Sequence, residues 1–205
     1  MTIYHEKYLR RWYEVSLTKI GFDICSRDES IDSGMTWFPY QKGGEYRKWY
    51  GNNDYVVYYF NDGIELVELV RKKYPNISDP EFIIKNRNWY FKKGLTWSTL
   101  SSASIGARYV YGGFIFDAKG SMAFCGEYDN IIPYIALLNS NVAMKYLDIL
   151  SPTMDFNIIA LKAIPAKIDK KKDNIEIIAK DNIRLSKADW DSFETSWDFE
   201  GHPLV

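Results

Sequence analysis

The hydrophobic pattern alternates between strand-like and helix-like periods along the first half of the chain. Aromatic and β-branched residues separated by Gly-Gly and Gly-Asn-Asn turns predict a hairpin-containing β segment over residues 34–63, with strands at 46–50 and 55–60. Residues 64–74 then bring Leu66, Leu69, Val70 and Tyr74 to one helical face, which predicts a helix that ends before Pro75. Residues 3–20 predict a helix or a helix followed by a turn.

The second half repeats this alternation. Short apolar runs between Asn88 and Cys125 are punctuated by glycines and predict further strands. Residues 130–150 predict helix, with Asn139-Ser140 able to break it into two, and residues 157–168 predict a short strand or turn. The chain is therefore expected to be an α+β protein with a mixed or antiparallel sheet and flanking helices.

The C-terminal region has a different character from the rest. The lysine-rich stretch 169–174 predicts a linker, and Ser186 with Asp189 three residues later resembles a helix start. Trp190, Phe193 and Trp197 then recur at the spacing of one helix face. We expect a main domain over residues 1–168 and an acidic, aromatic C-terminal appendage over residues 169–205.

Composition and residue inventory narrow the class of protein. The 205 residues are 46% hydrophobic and 17% aromatic, which favours a folded chain. No apolar run is long enough to span a membrane and the N-terminus does not resemble a signal peptide, so a cytoplasmic protein is expected. Cys25 and Cys125 are isolated, and His5 and His202 lie near the two ends, which argues against a zinc site or a Ser-His-Asp triad.

Charge is distributed unevenly along the chain. The net charge is -1, but residues 1–120 carry +3, residues 121–172 carry +1, and residues 173–205 carry -5. No acidic residue occurs between Glu81 and Asp117. The acidic tail therefore masks a mildly basic body, and an anionic partner remains compatible with the sequence.

Common catalytic motifs are absent. The sequence has no phosphate-binding Gly-x-x-x-x-Gly-Lys-Ser/Thr loop, no Gly-x-Gly-x-x-Gly, no His-Glu-x-x-His and no Gly-x-Ser-x-Gly. Carboxylates are plentiful, but no spacing distinguishes a catalytic pair.

Four stretches resemble a known family. They are Lys42-Gly43-Gly44 followed by KWYGNNDYVV (48–57), GLTWSTLSSASIGARYVYGGFIFDAKGSMAF (94–124), LLNSNVAMKYL (137–147) and DWDSFETSWDF (189–199). Together they are similar to the target-recognition region of PglX-like adenine-specific DNA methyltransferases of type 1 bacteriophage-exclusion (BREX) systems. More broadly, they resemble the specificity domains of TaqI-like and Type IIG enzymes.

The resemblance implies what is missing as well as what is present. Family members have a methyltransferase core with an Asn-Pro-Pro-Tyr-type motif and a Phe-x-Gly-x-Gly loop for S-adenosylmethionine. Here the seven prolines are never adjacent and no such glycine loop exists. We therefore expect a non-catalytic fragment without a cofactor, which recognises double-stranded DNA in phage defence. Its other partners would be the methyltransferase core and further BREX components.

The candidate DNA-binding residues combine cations for phosphates with planar or amide side chains for base edges. They are Lys42, Lys48, Asn52, Asn53, Lys92, Lys93, Trp97, Ser98, Arg108 and Lys119. Each has a structural alternative. Asn52 and Asn53 are typical turn formers, Arg108 suits a structural ion pair and Trp97 suits the core. The lysines suit an ordinary solvated surface.

The basic segments 42–53 and 92–119 are expected to share one electropositive face, with residues 189–200 away from it. The aromatic tail would dock on this domain or on the rest of the enzyme, and in the second case it would be loose here or would mediate a homodimer. Two other classes stay open, namely a carbohydrate- or protein-binding module with an aromatic platform and an enzyme that uses a carboxylate pair.

Overall fold

Helices and antiparallel strands build this chain, which confirms the α+β class. A computed structural model describes residues 5–101, 104–126, 130–151, 155–166 and 172–204. The strands are β1 (Leu9–Arg11), β2 (Trp37–Gln41), β3 (Tyr55–Tyr58), β4 (Gly94–Thr96), β5 (Arg108–Val110), β6 (Ile115–Phe116) and β7 (Met122–Ala123). The helices are α1 (His5–Tyr8), α2 (Arg27–Asp32), α3 (Phe60–Lys73), α4 (Ile132–Leu138), α5 (Asn141–Leu150), α6 (Ile158–Lys162) and α7 (Lys172–Asp191).

The chain divides into two compact units and crosses between them five times. The first consists of Met1–Tyr40, Asp54–Lys92 and Tyr111–Phe116, and the second of Gln41–Asn53, Lys93–Val110 and Asp117–Val205. Helix α7 belongs to the second unit. The predicted boundary between residues 168 and 169 lies outside the described residues, so that division stays a prediction.

The first unit is organised around a four-stranded sheet with the order β1-β3-β2-β6. Strand β3 is central and antiparallel to both neighbours, with Val57 opposite Leu9 on one side and Phe38 on the other. Both valines of β3 are buried, as are Phe38 and Tyr59, which meet edge to face. The aromatic richness of this part of the sequence thus supplies the core of the unit.

The second unit combines a small sheet with a helical core. Its strands have the order β5-β4-β7, and β4 is antiparallel to both neighbours. Trp97 and Ile105 pack with residues of four helices in one buried cluster, which includes Ile135, Leu147, Ala160, Ala179 and Ile183. Helices α4 to α7 therefore stabilise the loops that surround β4.

Local signals explain which helices were predicted correctly. The helix expected over residues 64–74 is α3, with Leu66 and Val70 buried. The helical region 130–150 divides at Asn139-Ser140 as expected, because the Ser140 hydroxyl accepts a hydrogen bond from the amide of Ala143 and begins α5.

Other predictions were wrong for identifiable reasons. Residues 46–50 form a loop, in which Trp49 has a positive φ of 71° and makes an isolated parallel bridge to Arg108. The strand or turn expected over residues 157–168 contains helix α6, whose first amides are capped by the side chain of Asn157. In place of one longer helix, the described residues 5–20 contain helix α1, strand β1 and two short 3₁₀ helices, Trp12–Glu14 and Leu17–Lys19.

The C-terminal helix also differs from its prediction. Ser186 lies inside α7 and does not begin it. The helix ends at Asp191, so Phe193 and Trp197 lie in the turns that follow. Of the linker expected over residues 169–174, residues 169–171 lie outside the described residues, whereas residues 172–174 already belong to α7, so the prediction is wrong there.

Within the described ranges, no helix is long and apolar enough to cross a membrane. In the same ranges, no group of three or more His, Cys, Asp or Glu side chains is arranged to hold a metal ion.

Candidate nucleic-acid interface

The candidate residues of the second unit lie on loops that are tied together by their backbones. The amide of Trp49 donates to the carbonyl of Ala107, and the amide of Tyr109 donates to the carbonyl of Trp49, both at 2.8 Å. A Cβ atom at Gly106 would lie 2.3 Å from the carbonyl oxygen of Arg47. Glycine at this position therefore allows the loop of residues 42–53 to pack directly on residues 106–109.

Arg108 holds this junction from the interior. Its side chain is among the most deeply buried, and its residue is only 1% exposed. Nη1 donates to the carbonyl oxygens of Gly106 at 3.2 Å and Arg47 at 3.4 Å, and Nη2 contacts the hydroxyl of Ser98 at 3.5 Å. Arg108 and Ser98 thus bind the protein itself in this conformation. Their role in DNA binding stays a prediction that the geometry does not favour.

Asn52 and Asn53 also satisfy contacts within the chain. Asn52 has a positive φ of 61° and donates from Nδ2 to the carbonyl of Glu45 at 2.8 Å. Asn53 accepts a hydrogen bond from Nε2 of Gln41 at 3.0 Å, and all three amide side chains are buried. These contacts fit the turn-forming alternative for both asparagines.

Trp97 is a core residue of the second unit. It is 1% exposed, and its indole Nε1 donates to the carbonyl of Phe156 at 2.8 Å. A buried indole with its single donor satisfied has no face available for a base. The structural alternative for Trp97 is therefore the better supported one.

Asn139 is a positioning residue that the sequence analysis did not select. Its Oδ1 accepts from the amide of Ala107 and its Nδ2 donates to the carbonyl of Ala107, both at 2.9 Å. The carbonyl of Asn139 in turn accepts from Nζ of Lys48 at 2.9 Å. In the sequence, Asn139 is marked only by its place in the Leu-Asn-Ser stretch of the family resemblance.

Two of the candidate lysines lie on adjoining loops. A Cβ atom at Gly43 would lie 2.8 Å from the carbonyl oxygen of Lys119, so the loops that carry Lys42 and Lys119 adjoin. The exposed Lys93 directly precedes β4, and the carbonyl of Lys119 accepts a hydrogen bond from the amide of Thr99 at 3.4 Å. Lys92 is exposed and belongs to the first unit.

The acidic C-terminal segment contacts the basic loop, contrary to expectation. Nη1 of Arg47 lies 3.0 Å from Oδ2 of Asp189, and its guanidinium lies 5.0 Å from the ring centroid of Trp190. The hydroxyl of Ser186 donates to the carbonyls of Lys48 at 3.1 Å and Tyr50 at 3.3 Å. The expectation that residues 189–200 lie away from residues 42–53 is therefore wrong at Asp189. Trp190 packs against Arg47 of the basic loop, and its side chain is buried.

A charged cluster joins the end of α7 to this loop. Lys187 donates to the carboxylates of Asp191 and Asp198, and its Nζ lies 5.3 Å from the ring centroid of Tyr50. Burial opposes the charge of Lys187, but these hydrogen bonds outweigh it and raise the pKa of the ammonium group. Burial also raises the pKa of Tyr50 to about 12, which outweighs the lowering by the charge of Lys187 and by the hydrogen bond with Asn53.

We expect this cluster to lose stability at alkaline pH. The pKa of Tyr50 lies above the ordinary tyrosine value near 10, so its contribution is fully present below about pH 10 and is lost as the pH rises towards 12. Ionisation of Tyr50 should account for about 2 kcal/mol of the fall in the free energy of unfolding over that range, and Tyr50→Phe should remove that share. Tyr59 and Lys187, whose pKa values are also raised, contribute the rest of the fall. Urea unfolding at each pH measures this, with the exposed Tyr13→Phe as a control that should leave the fall unchanged.

A cavity of about 750 Å³ lies beside this cluster. Its lining includes Lys187, Asp191, Trp197, Asp198, Phe199 and Glu200. The three carboxylates make this cavity unsuited to a phosphate backbone. Aromatic rings next to carboxylates are instead compatible with a polar, uncharged ligand.

Two proteins that are similar to this chain over almost its whole length are adenine-specific methyltransferases. Their names are PglX, from Lacticaseibacillus casei (strain Zhang), and BrxX, from Escherichia coli O9:H4 (strain HS). Each is 38% identical to the chain over 97% of its length. The chain spans only 16% of the length of PglX and 15% of the length of BrxX. No protein-family model matches the chain.

Proposed function

We propose that this chain is a DNA target-recognition segment of an adenine-specific methyltransferase of the PglX and BrxX kind, which acts in BREX-like phage defence. The observation that carries the proposal is the 38% identity over 97% of the chain to one segment of each of those proteins. The motifs for catalysis and for S-adenosylmethionine are absent from this sequence. Methyl transfer and cofactor binding would therefore belong to the rest of such an enzyme, and this segment would hold double-stranded DNA.

Within the second unit, buried polar residues and exposed lysines would have different roles in DNA binding. Buried polar residues, among them Asn53, Ser98, Arg108 and Asn139, hold the loops in fixed positions. The adjoining loops of Lys42 and Lys119 then carry the cations towards DNA phosphates. A recognition surface needs positively charged loops in fixed positions, because contacts with phosphates set the position and orientation of the protein on the duplex before base edges are read.

Asp189 should limit DNA binding because it neutralises Arg47. Asp189→Asn would remove one negative charge and release Arg47 for a phosphate, so we expect duplex affinity to rise about threefold to tenfold at 0.1 M salt. Stability should change by less than about 1 kcal/mol, since Asp189 is 60% exposed. Fluorescence anisotropy with a labelled duplex measures the affinity.

The matched control for this experiment is Asp181→Asn. Asp181 lies on the same helix, is 62% exposed and pairs locally with Arg184. The Asp181→Asn substitution should raise the affinity for duplex DNA less than Asp189→Asn does. Equal effects of the two substitutions would contradict a DNA surface next to Arg47, and an absence of duplex binding in every variant would contradict the proposed function.

Binding of a carbohydrate or another polar ligand remains a second candidate because of the aromatic cavity beside Lys187. Such binding would use Trp197 and Phe199 as platforms and would respond little to salt. Weakening of glycan binding by Trp197→Ala, with no salt-dependent DNA binding, would favour this candidate over the first.

A further inference from the structure

We infer that the first unit carries a separate nucleic-acid contact, at which an unpaired base stacks on Trp89 while Lys85 and Lys92 hold the flanking phosphates. We call Phe82, Lys85, Trp89 and Lys92 the aromatic–lysine surface. This inference rests on the proposed function, because it supposes a DNA partner. It goes further by adding a site for single-stranded nucleotides.

The exposure of two aromatic rings is the first observation. Phe82 is 69% exposed and Trp89 is 42% exposed, whereas the neighbouring Tyr90 and Phe91 are almost fully buried. The same segment thus buries two aromatic side chains in the core and leaves Phe82 and Trp89 exposed to solvent. Exposed aromatic rings offer flat faces on which bases can stack.

Each exposed ring has a lysine beside it. Nζ of Lys85 lies 5.7 Å from the ring centroid of Phe82, and Nζ of Lys92 lies 4.8 Å from that of Trp89. Contact with the ring keeps each ammonium group next to the aromatic surface. Proteins that bind single strands without reading sequence use this combination, in which rings stack on bases and cations follow the backbone.

The segment that carries these pairs is held in place by its own contacts. Arg87 donates from Nε to the hydroxyl of Tyr59 at 2.9 Å and from Nη2 to the carboxylate of Asp62 at 2.5 Å. The hydroxyl of Tyr90 donates to the carbonyl of Lys85 at 3.2 Å. The backbone that carries the aromatic–lysine surface is thus held in place, which lowers the cost of ordering it when a ligand binds.

Charge favours nucleic acid over a protein partner. Arg87 shares the carboxylate of Asp62 with Arg27, and its Nη1 also lies 3.9 Å from Glu81. Because Arg87 is engaged within the chain, the positive charge that the surface offers to a ligand comes from its two lysines. The nearest acid in the sequence is Glu81, and no other occurs before Asp117. A ligand that offers both planar rings and a chain of negative charges fits this arrangement.

The test compares single-stranded and duplex oligonucleotides. We expect Trp89→Ala to weaken binding of a single-stranded oligonucleotide about 5-fold to 100-fold, and Trp89→Phe to keep most of it because a ring remains. Lys85→Gln and Lys92→Gln should each reduce the slope of log affinity against log salt by about 0.7. Tyr13→Ala removes another exposed aromatic ring of the same unit, at 64% exposure, and should leave binding unchanged.

The outcomes separate this inference from the proposed function. If Trp89→Ala weakens binding no more than Tyr13→Ala does, the inference is wrong even when duplex binding depends on Lys42 and Lys119. If Trp89→Ala abolishes single-strand binding while duplex binding ignores Lys42 and Lys119, the inference stands and the proposed duplex site is wrong. Should Trp89→Ala unfold the chain, the two lysine variants and Trp89→Phe decide the matter, because unchanged salt slopes overturn the inference.

Discussion

Arg108→Ala is expected to lower the free energy of unfolding of the second unit by about 3 kcal/mol. The substitution would leave the buried carbonyls of Arg47 and Gly106 without this donor and would open a cavity at a position only 1% exposed. Urea denaturation followed by circular dichroism measures the change. Arg108→Lys should recover little of it, because an ammonium group cannot reproduce the planar fork of the guanidinium.

The control for Arg108 is Lys119→Ala. Lys119 is exposed in the same unit, so its replacement should change stability by less than about 0.5 kcal/mol. A stable Arg108→Ala variant that had lost duplex binding would overturn the structural interpretation. It would instead support the direct guanine contact that the sequence alone allowed.

Trp97→Ala should destabilise the chain most, by about 4 kcal/mol. It removes the largest fully buried side chain of the second core and the hydrogen bond from Nε1 to the carbonyl of Phe156. For a chain of this size, that corresponds to a fall in melting temperature of about 10 °C, measurable by calorimetry. Trp97→Phe should cost less, because it keeps most of the buried area and loses only the indole donor.

Trp89→Ala provides the matched control for this prediction. It removes the same residue type from a position that is 42% exposed, and should cost about 1 kcal/mol or less. If both tryptophan variants were equally stable and Trp97→Ala lost duplex binding, Trp97 would be a stacking residue and not a core residue.

Local patterns in the sequence were sufficient for the elements that depend on local interactions. Helix α3 follows from the spacing of Leu66 and Val70, and the break between α4 and α5 follows from the capping ability of Ser140. Residues 46–50 have equally strong strand propensity but form a loop. There the positive φ of Trp49 and its contact with Ala107, far away in sequence, decide the conformation.

The candidate site was harder to predict because its residues depend on partners distant in sequence. The exposure of Lys119 is the ordinary state of a lysine and was expected. The burial of Arg108 requires carbonyls from the loop of Arg47, 61 residues away, and the contact of Arg47 with Asp189 joins residues separated by 142 positions. No pattern along the chain specifies such pairs, so charge alone suggested a surface role for Arg108.

Salt dependence of duplex binding by the 205-residue chain tests the central proposal most directly. We predict a dissociation constant of about 10⁻⁴ to 10⁻⁶ M at physiological salt, with log affinity falling linearly as log salt rises. Lys42→Gln and Lys119→Gln should each reduce that slope by about 0.9, whereas Lys145→Gln, at a side chain 86% exposed, should not. Binding that is insensitive to salt, or slopes that are the same in all three variants, would contradict a DNA-recognition surface on these loops.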